Sequence, residues 1–163
     1  MTDVVARIAA GVAELPREQW DACAGADNPF VSWDFLTALE RSGSVGEGTG
    51  WQPLPLMIDG ADGRIAAAAP LYAKSHSQGE YVFDHGWADA WERAGGQYYP
   101  KIQIAAPFSP VPGPRLLLRD STLGPALIAG IETLVERNDL SSAHATFVDP
   151  EQIALFEAAG WLI

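Results

Sequence analysis

The sequence predicts one domain of mixed α/β (α+β) class, a mixed central sheet flanked by helices. Three observations carry this. Two short runs on either side of "DGADG" alternate apolar and other residues, as paired strands do. Several segments carry helix start and stop residues in the right order. Finally, "KIQIAAP", a long amphipathic stretch and "SAHATFV" succeed one another as strand, helix, strand.

Taken in order, a short strand is expected near Val4–Ala9. Pro16 suits the first turn of a helix and Gly25 its exit. Ser32 is an N-cap for a helix with Trp33, Leu36 and Leu39 on one face and Gly43 as its stop. "SGSVGEGTG" reads as a flexible loop without apolar anchors. Leu54, Leu56 and Ile58 then alternate on one strand, and Ile65, Ala67, Ala69 and Leu71 on the next, with "DGADG" as the turn. Pro53, Pro55 and Pro70 lack N–H donors, so one side of these strands cannot be fully paired. The alanine face implies a helix lying close to it.

"DHGWADAWERAGG" is expected as a short helix starting near Asp84 and ending before Gly95. "RLLLRD" reads as extended chain or loop. The longest helix runs from about Thr122 to Arg137 and buries Leu123, Leu127, Ile131, Leu134 and Val135. In the last helix Asp149 is the expected cap, Pro150 takes the first position, Gln152 completes a capping box and Gly160 ends it. Trp161, Leu162 and Ile163 read as the opening of a further strand.

A chain of 163 residues, 48% apolar and 19% charged, is long enough for a real core and too apolar for disorder. Its formal charge of −11 argues against an extended nucleic-acid surface. The single cysteine, Cys23, excludes an internal disulfide and reads as a small buried apolar residue. "MTDVVARIAAGVAELP" has no basic leader region, and no apolar run reaches the length of a membrane span, so a cytoplasmic protein is expected.

The polar and aromatic groups gather between Glu80 and Leu117. Asp84 and His85 can act as orienter and base toward a substrate amine, since histidine titrates near working pH. Equally, Asp84 can cap the helix and leave His85 exposed in its first turn. Tyr81, Trp87, Trp91, Tyr98 and Tyr99 can line a half-wet groove or close a sheet edge. Lys101 can hold an acidic substrate group or simply open its strand. His76 reads as a solvated loop residue and His144 as a satisfied strand residue. No ligand spacing for a metal is present.

The order of elements resembles the GNAT acyltransferase fold without its final strands. More specifically, "DNPFVSWDFLTALERSGSV", "AAPLYAKSHSQGEYVFDHGWADAWERAGGQYYPKIQIAAPFSPVPGPRLL" and "LFEAAGWLI" resemble the N-terminal half of the FemAB-like N-acyltransferases, of the peptidoglycan biosynthesis or recognition type. The resemblance implies transfer of an acyl or aminoacyl group to a small-molecule or peptide-like amine, with acyl-CoA or aminoacyl-tRNA as donor. Family members carry two GNAT-like halves, so it also implies a partner: the C-terminal half of the same protein, or a second copy. It further implies that "PFSPVPGPR" helps form an acceptor cleft, with Ser109 in that loop and Gly113 and Arg115 as an anion-binding pair; a rigid surface loop is the plainer reading. The glycine-spaced loop that normally receives the CoA pyrophosphate is absent, and three prolines remove donors it would need. The expectation is an acceptor-side domain, inactive alone. The alternative is a binding or assembly module that dimerises through its C-terminal strand.

Overall fold

The strands form two four-stranded halves, with Pro55 and Pro70 where the chain crosses from one to the other, while Pro53 stays paired with Tyr72 inside a strand. The computed structural model describes residues 4–163; the first three residues of the N-terminal stretch lie outside them. The first half is ordered β1-β3-β4-β7, from Ala6–Ile8, Leu56–Asp59, Ile65–Ala69 and Leu117–Leu118. The second is ordered β2-β5-β6-β8, from Trp51–Pro53, Leu71–Lys74, Lys101–Ile104 and Ala143–Ala145. All pairs are antiparallel except β6 with β8, which is parallel. One hydrogen bond, Leu54 N–H to the Leu71 carbonyl at 2.8 Å, spans the bend where the prolines supply no donors.

The helices are α1 (Arg17–Ala24), α2 (Trp33–Arg41), α3 (His85–Arg93), α4 (Gly124–Arg137) and α5 (Pro150–Ala158). Ser32 caps α2 through its side chain, accepting from the Phe35 N–H. Gly25 and Gly160 close α1 and α5 with positive φ, which glycine adopts without a Cβ penalty. Pro16 sits one position earlier than expected, at the N-cap of α1, where its carbonyl accepts from Gln19 and Trp20.

Strand β4 is almost all alanine because both its faces are covered. Ala67 and Ala69 pack toward Leu127, Ile128 and Ile131 of α4. Ile65 and Ala68 pack with Trp20, Cys23 and Leu36 of α1 and α2. The small side chain is what lets helices approach from both sides. The expected hairpin forms as β3 and β4 but is shorter than expected: Leu54 lies outside both strands and Leu71, beyond Pro70, belongs to β5. The mixed α+β class holds.

Three expectations are corrected. The glycine-rich loop has an apolar anchor: Val45 is buried with Trp51 and Tyr72, and Gly46 bridges to Trp51. The capping box at α5 does not form. Asp149 makes no side-chain cap bond, and the Gln152 amide turns away to accept from the N–H groups of Arg115 and Leu116 and donate to the Leu116 carbonyl. Residues 161–163 are not a strand. Trp161 folds back onto Phe156, ring centres 5.0 Å apart, and donates to Glu132. Among the described residues, no helix is long and apolar enough to cross a membrane.

Candidate functional site

Alternation along β5 and β6 separates two kinds of side chain. Leu71, Ile102 and Ile104 enter the apolar core. Tyr72, Lys74, Lys101 and Gln103 take the other face, paired in register as Tyr72 with Gln103 and Lys74 with Lys101. All four are fully buried: residues 75–100, a strap that includes α3, reach the two lysines, Val45 and Trp51 pack on Tyr72, and Gln103 donates to Thr146.

Burying two ammonium groups requires partners. The strap supplies them. Lys101 donates to Glu80 at 2.9 Å, to Asp84 at 2.8 Å and to the Ser77 hydroxyl at 3.1 Å. Lys74 lies 3.7 Å from the other Glu80 oxygen, donates to the Gln78 carbonyl, and sits 3.6 Å above the Trp51 ring. Tyr98 donates to Asp84 at 2.8 Å, and Tyr99 shares a 2.7 Å hydrogen bond with Ser77.

Electrostatics follow from this geometry. Burial pulls the Asp84 carboxyl up, but the hydrogen bonds it accepts, led by Lys101, outweigh burial and hold it at about 2. Burial pushes Glu80 up, against the opposing pull of Lys101. Burial also lowers the Lys74 ammonium to about 8, with Glu80 resisting. The Tyr98 phenol is raised, by burial first and by Asp84 second. The cluster is an ion-paired clamp, two cations against two anions, with one Glu80 oxygen and one Asp84 oxygen lacking hydrogen-bond partners.

The clamp presents what lies between and beyond its two acids. Phe83 is 88% exposed and Trp87 is 76% exposed, with Tyr81 and Trp91 also outward. Tyr81 adopts φ 57°, a region side chains rarely occupy, in the segment between Glu80 and Asp84, both of which pair with Lys101. Of the residues singled out in the sequence, Asp84, Tyr98, Tyr99 and Lys101 therefore come together in one buried group. His85 and Trp87 stand on its outer surface, at the start of α3. Asp84 occupies the N-cap position, yet its carboxylate serves Lys101 and Tyr98 rather than the helix.

Ser109, Gly113 and Arg115 lie elsewhere, where β6 and β8 diverge. Gly113 bridges to Val148, with its N–H on the Phe147 carbonyl, and a Cβ there would meet the Asn28 amide at 2.1 Å. Arg115 is fully buried and donates to the carbonyls of Thr146, Val111 and Pro114. Burial lowers its guanidinium to about 10. The loop and Arg115 fill the space between the separating strands.

The sequence reading missed Lys74, Glu80 and Ser77. Their signal was a lysine at an inward position of each of two paired strands, which demands an acid nearby. His76 is not solvated: Nε2 donates to the Thr49 carbonyl and Nδ1 accepts from the Gln78 N–H, stapling strap to loop. His144 faces a groove of about 700 Å³ beside the strap. It bonds Ser142, stands edge-on to Tyr98, and is lowered to about 4 by burial and by Lys101. Among the described residues no group of three or more metal-binding side chains gathers.

No curated protein and no solved structure is significantly similar to this chain. The FemAB-like family profile, described as peptidoglycan biosynthesis/recognition, matches residues 11–163 and so includes both the clamp and the loop that fills the strand divergence. The chain belongs to the FemAB-like family of peptidoglycan biosynthesis/recognition proteins.

Proposed function

We propose that this domain forms the acceptor side of an N-acyltransferase that transfers an acyl or aminoacyl group to an amine on a peptidoglycan-type precursor. The observation that carries the reading is the clamp. Four buried charges are assembled beneath a strap whose outer side holds Phe83, His85 and Trp87 toward solvent. Rigid support under an exposed aromatic surface is how a binding wall is positioned. His85 serves there as base for the acceptor amine, and Trp87 as an apolar platform beside it.

Donor binding belongs to another domain or chain in this reading. An acyl-CoA pyrophosphate needs free backbone N–H groups at the strand divergence. Here Gly113 gives its N–H to Phe147, and prolines occupy positions 107, 110, 112 and 114. The domain alone, given acetyl-CoA and a lysine-containing muropeptide, is expected to form no acylated product by mass spectrometry. Product formation by the purified 163-residue chain overturns the assignment of the donor site.

A further inference from the structure

The strap is built inside out. Its buried side sets Glu80 and Asp84 against Lys74 and Lys101, and its solvent side carries rings: Phe83, Trp87 and Trp91 are all more than half exposed. Ala88 is the one buried residue of α3. Trp87, Ala90, Trp91 and Ala94 recur at steps of three and four residues, so they share one side of the helix. Large apolar groups left together in water mark a binding surface.

Side-chain shape selects the occupant. Helix α4 packs on the sheet through Leu127, Ile128 and Ile131, branched groups that interlock with other side chains. The outward side of α3 has no aliphatic side chain larger than alanine and offers flat rings instead. A flat aromatic face suits the apolar C–H face of a pyranose sugar. Trp87 and Trp91 stand four residues apart, about 6 Å along a helix, close to the advance of one sugar in a linear 1,4-linked glycan. The Trp91 indole lies against Gly96, where a Cβ would meet its Nε1 at 2.2 Å, so its placement depends on that glycine. Along the same helix His85, Asp89, Glu92 and Arg93 are exposed and, among the described residues, have no side-chain hydrogen bond or ion pair, which leaves them free for hydroxyl and amide groups.

Charge narrows the choice. The family is one of peptidoglycan biosynthesis/recognition, and peptidoglycan offers two surfaces: glycan strands of N-acetylated amino sugars, and stem peptides that carry carboxylates. The chain has a net charge of −11, and the Lys74 and Lys101 ammonium groups beneath the rings are already matched by Glu80 and Asp84. An uncharged sugar chain meets no repulsion there.

We propose that Trp87 and Trp91 stack consecutive N-acetylated amino sugars of a peptidoglycan-type glycan, so that the outward side of α3 reads the sugar of its ligand rather than the peptide. The proposal rests on the reading of this surface as the acceptor wall and names the part of the acceptor that it holds.

The test titrates the ¹⁵N-labelled domain with tetra-N-acetylchitotetraose and, separately, with a lysine-containing stem peptide that carries no sugar. The saccharide is expected to shift the indole N–H signals of Trp87 and Trp91 and to leave that of the buried Trp20 unmoved. Trp87→Ala and Trp91→Ala, both at exposed positions, should each weaken saccharide binding by about tenfold or more. Saccharide binding that survives the double substitution overturns the stacking. Peptide binding at Phe83, His85 and Trp87 without saccharide binding overturns this proposal and leaves the acceptor wall standing. A strap that responds to neither ligand overturns both and assigns the aromatic face to a protein surface.

Discussion

The Lys101 ammonium lies 2.8 Å from the Asp84 carboxylate, and both are buried, although one belongs to a strand and the other to the start of a helix 17 residues earlier. This contact fixes the strap to the sheet. Removing one partner of such a pair strands the other charge in a dry site. Lys101→Met should therefore destabilise the domain by about 3–5 kcal/mol. Urea unfolding followed by tryptophan fluorescence measures this. A loss below about 1 kcal/mol, the scale of exposed pairs, would show that the clamp is solvated.

Acid should weaken the fold through His144. Its ordinary value of 6.5 falls to about 4 in the folded state, through burial first and the charge of Lys101 second, with Asp84 opposing. Between these values the unfolded chain takes up a proton that the folded one refuses, so stability falls as pH drops through the window. Between pH 7 and pH 5 the loss from this group is about 2 kcal/mol. His144→Gln should remove that part of the pH dependence, as read from urea midpoints at the two pH values.

Arg115 is expected to act as a strut. Its planar fork reaches three carbonyls from two segments, which a lysine ammonium cannot reproduce. Arg115→Lys should cost about 2 kcal/mol and speed amide hydrogen exchange in residues 107–115. Unchanged stability with weakened anion binding would instead make Arg115 a ligand contact.

The outer surface should behave in the opposite way. Trp87 is 76% exposed, so Trp87→Ala should change stability by less than about 0.5 kcal/mol. Acceptor binding should fall at least tenfold, about 1.4 kcal/mol. Calorimetric unfolding and peptide titration separate the two effects.

Local grammar was legible in the sequence. Ser32, Gly25 and Gly160 mark helix ends because caps depend on neighbouring residues alone. Asp84, Tyr98, Tyr99 and Lys101 stood out as polar or aromatic groups near one another in sequence. What joins them was not legible. Lys74 and Glu80 meet Lys101 only after β5 and β6 pair and the strap folds over them. Gln152 shows the same limit: a local capping box lost to two distant backbone N–H groups that needed an acceptor.

The central claim is that the strap held by Lys74, Glu80, Asp84 and Lys101 presents the acceptor wall. The most direct measurement is a ¹H–¹⁵N titration of the domain with a lysine-containing muropeptide and, separately, with acetyl-CoA. The account predicts that the muropeptide shifts the amides of Phe83, His85 and Trp87, that these shifts vanish in Trp87→Ala, and that acetyl-CoA shifts nothing there or in residues 107–115. Acetyl-CoA perturbing residues 107–115, with the muropeptide leaving the strap unmoved, would contradict it.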